Sequence, residues 1–232
     1  MHGACGAGCL ANHAKATCGQ GVCSLVCDKG FTDCDMDGKN GCEANIQTDP
    51  ANCGGCGMKC PQNLNGCAAG ICVAAYLPVG PQNNIGVGQI TGWNQCYMDT
   101  YGSFQGNLAQ IQQMCNGGNI MLSCRPNNAQ TIDLLAWAPR DDVFFVTNLT
   151  SSCNANRPLH NANGTDWYYD TSWGWGFTAP NDGNSVCSCD TAQGAHPEQR
   201  LCWHTGGGTL SSGYRCGNQY PGSNYDRIIW TY

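Results

Sequence analysis

The sequence predicts a small disulfide-rich repeat module with little regular secondary structure. A β-rich α+β domain, stabilised by disulfides and containing one helix, is predicted to follow it. Twelve of the 20 cysteines fall within residues 5–72 and eight within 96–216, whereas all seven tryptophans follow residue 92. Charged residues make up 11% of the chain and glycines number 32, a composition typical of loops, turns and short strands.

The first part contains an internal repeat with an offset of about 50 residues, in the range of tandem modules. Cys5–Cys9 has the spacing of Cys56–Cys60, and Cys18–Cys23 has that of Cys67–Cys72. His2 stands at the place of Cys53, so a truncated first copy is expected. We therefore predict a repeat region at 1–72, a linker or entry strand at 73–92, and a Trp-rich β-dominated domain at 93–232.

Residues 18–72 contain the motifs CxxGxC, CDKGFTDCDMDGKNGCEAN, TDPANCGGCGMKC and a second CxxGxC. In these motifs region 1–72 resembles the cysteine-rich repeats of secreted myxobacterial and related bacterial proteins. The later order GWNQCY, MLSCRP, LLAWAPRDDVFF, RLCWHTGGG and RIIW resembles a poorly characterised secreted Trp/Cys-rich domain of bacteria and some protists. Both resemblances imply an extracellular or cell-surface setting, and neither brings an activity.

Even numbers of cysteines in both parts favour disulfides that close within each part, as in secreted proteins. The Cys53–Cys56 spacing also occurs in zinc and redox sites, but no further thiol or histidine is marked as a ligand. The cysteines expected to be bridged are Cys5, Cys9, Cys18, Cys23, Cys27, Cys34, Cys42, Cys53, Cys56, Cys60, Cys67, Cys72, Cys96, Cys115, Cys124, Cys153, Cys187, Cys189, Cys202 and Cys216.

The elements of the second part follow from periodicity and turn residues. Phe104 to Met114 has apolar residues at helical spacing and stops at an Asn-Gly-Gly sequence, which predicts the single helix. Short apolar or aromatic runs between turn residues predict the strands. These are Gly92–Tyr97, Ile120–Cys124, Thr131–Trp137, Asp142–Thr147, Trp167–Tyr169, Trp173–Phe177, Leu201–His204, Gly213–Cys216 and Tyr225–Tyr232.

Asp33, Asp35 and Asp37, followed by Gly38, resemble the opening of a calcium-binding loop. An EF-hand loop ends with a calcium-binding glutamate at its twelfth position, which is Ala44 in this sequence. Only a calcium-binding loop of another kind would therefore fit. The alternative is a polar turn in which these side chains accept hydrogen bonds from backbone amides. No cofactor is required, and calcium is the one ion that the sequence suggests.

Exposed aromatic side chains stack on sugar rings, and carboxylates bind sugar hydroxyl groups, so an aromatic cluster is a candidate glycan site. The alternative is that these aromatic residues form the domain core. Because Trp173 and Trp175 alternate with glycine, they are expected on one side of a strand. The predicted binding residues are Trp167, Tyr169, Trp173, Trp175 and Asp170.

An acid-base catalytic site would require side chains that exchange protons, and the candidates are His196, His204, Asp190 and Glu198. No known catalytic motif accompanies them. Asn148 and Asn163 begin Asn-x-Thr sequences and are candidate glycosylation sites, although such sequences also arise by chance in an Asn-rich chain.

Single, scattered basic residues and a net charge of −6 argue against nucleic-acid binding, and no apolar run is long enough to span a membrane. The leading interpretation is a secreted or cell-surface, non-enzymatic protein. Its repeat region would be a connector, and its second domain would bind carbohydrate or a surface protein. The alternatives are a subunit of an extracellular fibre, which binds copies of itself, and a secreted hydrolase.

Overall fold

The computed structural model describes residues 12–19, 22–38, 40–103, 106–147, 159–182, 189–190 and 194–232. The chain divides into two compact units. The first comprises Met1–Tyr76 with Thr91–Trp93, and the second comprises Leu77–Ile90 with Asn94–Tyr232. Segment 73–92 is therefore shared, and its middle part belongs to the second unit.

The first unit has little regular structure beyond three short antiparallel strand pairs in its described part. Cys18 lies opposite Cys23 in the first pair, and Cys67 lies opposite Cys72 in the third. The matched cysteines of the two predicted copies thus occupy the same register position. The pairs are β1 (Ala14–Gly19) with β2 (Val22–Cys27), β3 (Phe31–Thr32) with β4 (Ala44–Asn45), and β5 (Gly66–Ala68) with β6 (Ile71–Val73).

Disulfides take the place of an apolar core in the first unit. Cys53, Cys60 and Cys67 form a buried cluster, with Cys72 packed against it. Each closed loop stabilises a small module by about 2–4 kcal/mol, chiefly by restricting the unfolded chain. The bridges are Cys27–Cys42, Cys34–Cys56, Cys53–Cys67 and Cys60–Cys72.

The second unit contains two antiparallel sheets. The strands are β7 (Gln82–Gly86), β8 (Asn94–Thr100), β9 (Gly106–Asn107), β10 (Asn119–Pro126), β11 (Thr131–Pro139), β12 (His160–Ala162), β13 (Thr165–Tyr169), β14 (Gly174–Thr178), β15 (Leu201–Gly206), β16 (Thr209–Cys216) and β17 (Tyr225–Thr231). One sheet has the order β7-β11-β10-β17-β8, and the other has the order β12-β13-β14-β15-β16-β9. The predicted β-rich, disulfide-stabilised domain is confirmed.

The apolar core of the second unit lies between the two sheets. Leu122 and Leu134 face it from the five-stranded sheet, and large aromatic side chains face it from the other. The rings of Trp175 and Trp203, on adjacent strands, meet edge to face with centroids 5.5 Å apart. Because side chains alternate between the faces of a strand, every second residue of the central strands enters this core.

The predicted helix is present as α1 (Leu108–Met114), but its predicted start at Phe104 is wrong, because Gly106–Asn107 form β9 and pair with β16. It begins after Asn107, whose side chain accepts a hydrogen bond from the backbone N–H of Gln110 and thereby caps the first turn. Leu108 and Ile111 are its buried residues, as the helical spacing predicted, whereas Met114, the last residue of that spacing, is exposed.

The predicted strand Asp142–Thr147 is wrong. The chain forms a second, short helix, α2 (Arg140–Val143), directly after β11 ends at Pro139. Asp141 and Asp142 lie in its first turn, where negative charge favours the N-terminus of a helix. The guanidinium of Arg140 donates to the backbone carbonyls of Gln112 and Cys115, which ties α2 to the end of α1.

The described bridges of the second unit are Cys96–Cys115, Cys124–Cys216 and Cys189–Cys202. No cysteine in the described residues is a free thiol, and every described bridge joins cysteines of the same part of the chain. The expected bridges of Cys5, Cys9, Cys153 and Cys187 and of the side chains of Cys18 and Cys23 lie outside the described residues. The described helices are all too short to cross a membrane.

Candidate functional site: the aromatic edge of the second unit

Three of the five predicted carbohydrate-binding residues lie in the core. Trp167, Tyr169 and Trp175 are 1%, 3% and 0% exposed. Phe144 packs against both Tyr169 and Trp175, at ring-centroid distances of 5.4 and 5.0 Å. A sugar has no access to rings that are packed in this way. The prediction that these three side chains form a binding surface is therefore wrong.

Trp173 is 45% exposed and lies in the turn that joins β13 to β14. The Asp170 carboxylate accepts a hydrogen bond from the backbone N–H of Ser172 at 2.7 Å, which fixes this turn. The Trp173 carbonyl accepts from the N–H of Thr205. Because Trp173 precedes β14, the alternation of the strand does not extend to it, and the expectation that Trp173 and Trp175 share one side is wrong.

A second aromatic pair lies next to this turn. Gly174, the residue after Trp173, pairs with His204 in the ladder between β14 and β15. The His204 ring stacks on the ring of Tyr214, which is 42% exposed, with centroids 3.8 Å apart. We call Trp173, His204 and Tyr214, with the turn at Asp170, the aromatic edge. Tyr214 was not predicted, because only the β15–β16 pairing brings it to His204.

The electrostatics of the aromatic edge favour an uncharged ring at His204. Burial lowers the pKa of His204 below its ordinary value of 6.5, and the charge of Asp190 opposes this shift. The imidazole is therefore neutral around pH 7. A neutral imidazole packs against the apolar C–H face of a sugar with less desolvation cost than an imidazolium.

The predicted calcium residues are only partly brought together. Oxygen atoms of Asp33, Asp35 and Glu43 lie within 4.8 Å of one another, and Asp37 is not in this group. Asp35 accepts hydrogen bonds from the backbone N–H of Asp37 and the side chain of Asn40, and the first of these contributes most to lowering its pKa. Buried oxygens of Asp33 and Asn40 have no hydrogen-bond partner in the described part of the chain. The donor set consists of hard oxygens, which calcium prefers, and calcium binding here stays a prediction.

The four residues considered for acid-base chemistry lie as two separate pairs: His196 with Glu198, and His204 with Asp190, whose charge acts on the His204 ring. His196 Nδ1 lies 3.3 Å from Glu198 Oε1, and both side chains are about half exposed. His204, by contrast, stacks on Tyr214. Among the described residues this leaves one surface pair and a second pair whose histidine belongs to the aromatic edge.

Of the two candidate glycosylation sites, Asn148 lies outside the described residues. The Asn163 side-chain nitrogen donates to the carbonyls of Pro78 and Trp137, at 3.0 Å each. Attachment of a glycan at this nitrogen would disturb both hydrogen bonds. The folded domain is therefore a poor acceptor at Asn163.

The second unit contains a polar cavity of about 340 Å³ that was not predicted from the sequence. It is lined by Asn83, Asn84, Asp133, Glu198 and the turn at residues 216–219. Of these residues, the sequence had marked only Glu198, as a candidate acid-base residue, and Cys216, as a bridged cysteine. The lining residues come from four separate segments, and no local pattern marks them as neighbours.

The chain matches no family model, no curated protein and no solved structure.

Proposed function

We propose that the chain is a secreted or cell-surface binding protein, in which the disulfide-stapled first unit is a connector and the second unit binds carbohydrate. At least seven disulfides support an oxidising compartment, because cytosolic thiols are kept reduced. The resemblance of residues 1–72 to secreted bacterial repeats supports the same location.

The observation that carries the proposed binding activity is the aromatic edge. Trp173 is a large, exposed aromatic residue in a turn that internal hydrogen bonds hold in place. The His204–Tyr214 stack offers a second aromatic contact on the neighbouring strands, where His204 pairs with Gly174, the residue after Trp173. Because the backbone of this turn is already fixed, little of its conformational entropy is lost when a ligand binds, and the exposed Trp173 ring offers a face on which sugar C–H groups pack.

A glycan array tests this proposal. We expect the native chain to be retained on at least one class of glycan and Trp173→Ala to lose that retention. Loss of a central aromatic contact typically costs about 2 kcal/mol or more, which corresponds to an affinity decrease of about thirtyfold. The matched control is Met114→Ala, because Met114 is 51% exposed and lies on α1.

Tyr214→Ala is expected to weaken retention less than Trp173→Ala, since His204 keeps one ring of the stack in place. Absence of retention on every glycan would contradict the proposed activity. Equal loss with Met114→Ala would contradict the assignment to the aromatic edge.

A further inference from the structure

The polar cavity of the second unit differs in chemistry from the aromatic edge. We propose that it binds a small ligand carrying several hydroxyl groups and one ammonium group, of which an amino sugar is the simplest. Its volume of about 340 Å³ is near the lower end of small-molecule sites, which run from about 300 to 1,000 Å³. One sugar ring suits such a volume.

The walls of the cavity are fixed by hydrogen bonds between distant segments. The Asn83 side-chain nitrogen donates to the Glu198 carbonyl at 2.9 Å and to the Asp133 carbonyl at 3.3 Å. It therefore connects β7, β11 and the 3₁₀ turn at residues 197–199. The N–H of Gly217 donates to the Arg200 carbonyl at 2.9 Å, which holds the turn after β16 against the same region. A cavity fixed in this way binds with little ordering cost.

The negative charge of the cavity lining favours a ligand with a positive charge. Asp133 and Glu198 are the two acidic residues of the lining, which contains no lysine or arginine. The Tyr225 hydroxyl donates to Asp133 Oδ2 at 2.9 Å, and Oδ1 has no hydrogen bond to the described residues. His196 contacts Glu198 through Oε1, so Oε2 is the oxygen left to accept from a ligand. Charge-assisted hydrogen bonds from an ammonium group are the strong partners for such oxygens, and an anionic ligand would be repelled.

The amide side chains of the rim recognise hydroxyl groups. Asn84, Asn218 and Gln219 each offer both hydrogen-bond donors and an acceptor, as hydroxyl groups require. Asn84 has a φ of 57°, a left-handed conformation that asparagine tolerates better than most residues. The rim thus suits a polyhydroxylated ring, and the two carboxyl groups suit its ammonium substituent.

This inference stands on residues separate from the aromatic edge, so either site can fail without the other. The test is isothermal titration of the full chain with glucosamine at neutral pH, with glucose and glucuronate as comparison ligands. We expect glucosamine to bind, glucose to bind at least about tenfold more weakly, and glucuronate not to bind. Asp133→Asn and Glu198→Gln should each weaken glucosamine binding by about tenfold or more.

The control is Asp141→Asn, which makes the same change in net charge at a fully exposed side chain. It should leave the affinity unchanged. Because Asp133 also accepts from Tyr225, a thermal melt accompanies each variant, and Glu198→Gln alone decides the test if Asp133→Asn unfolds. Failure of glucosamine to bind, equal binding of glucuronate, or equal weakening by Asp141→Asn would each overturn the proposal. Trp173→Ala should not affect this binding.

Discussion

Removal of the Cys124–Cys216 bridge by the double substitution to alanine is expected to lower the free energy of unfolding of the second unit by about 4.5 kcal/mol. The two cysteines are separated by 92 residues in sequence. A longer loop gains more entropy when it is opened in the unfolded chain, so this bridge is expected to contribute most among those described. It also joins β10 of one sheet to β16 of the other, across the core.

Urea unfolding followed by tryptophan fluorescence measures this effect. Six of the seven tryptophans belong to the second unit, so the signal reports mainly on the two sheets. The control is removal of Cys96–Cys115, whose separation of 19 residues corresponds to a loss of about 3 kcal/mol. If both double variants lose the same free energy, loop closure does not explain the role of the inter-sheet bridge.

The second large effect is expected for Asp182→Asn, with a loss of about 3–5 kcal/mol. The side chains of Asp182 and Arg200 are 0% and 1% exposed. Asp182 Oδ2 accepts from the guanidinium of Arg200 and from Thr178 Oγ1, and Oδ1 accepts from the backbone N–H of His196. The asparagine would remove the negative charge that faces the buried guanidinium of Arg200. Asp141→Asn, which affects an exposed pair, should cost less than about 0.5 kcal/mol in the same denaturation assay.

The Asp182 carboxylate also predicts that the folded chain loses stability in acid. Burial alone would raise the pKa of Asp182, but the hydrogen bonds from Arg200, His196 and Thr178 hold it below its ordinary value of 3.8. Its stabilising contribution is therefore complete above the pKa of the unfolded chain and is lost as the pH falls through the lower pKa of the folded chain. The native chain should lose stability below about pH 4, and Asp182→Asn should lose less over that interval. If the native chain and Asp182→Asn lose the same free energy of unfolding as the pH falls, this assignment is contradicted.

Local patterns in the sequence were sufficient for the class of the second unit and for most of its strands. The short buried run Ile120–Cys124, and the helical spacing of Leu108 and Ile111, are properties of short segments. The error at Asp142 also has a local cause, because two acidic residues after Pro139 favour the start of a helix over a strand.

The sites were harder to predict because tertiary pairing creates them. The aromatic composition around Trp173 does not distinguish a core ring from an exposed one, and Trp173 is exposed in the turn at Asp170, before β14 begins. The cavity depends on contacts of Asn83 with residues 50 and 115 positions away in sequence. Neither the exposure of Trp173 nor the contacts of Asn83 can be predicted from the residues next to them in sequence.

The most direct test of carbohydrate binding at the aromatic edge is acrylamide quenching of tryptophan fluorescence, with and without a saccharide that the array identifies. Trp173, at 45% exposure, is the one tryptophan among the exposed large hydrophobic residues, and all seven tryptophans lie in the described residues. We predict that the saccharide reduces quenching of the native chain and has no effect on Trp173→Ala. Saturating saccharide with unchanged quenching of the native chain would contradict a site at Trp173.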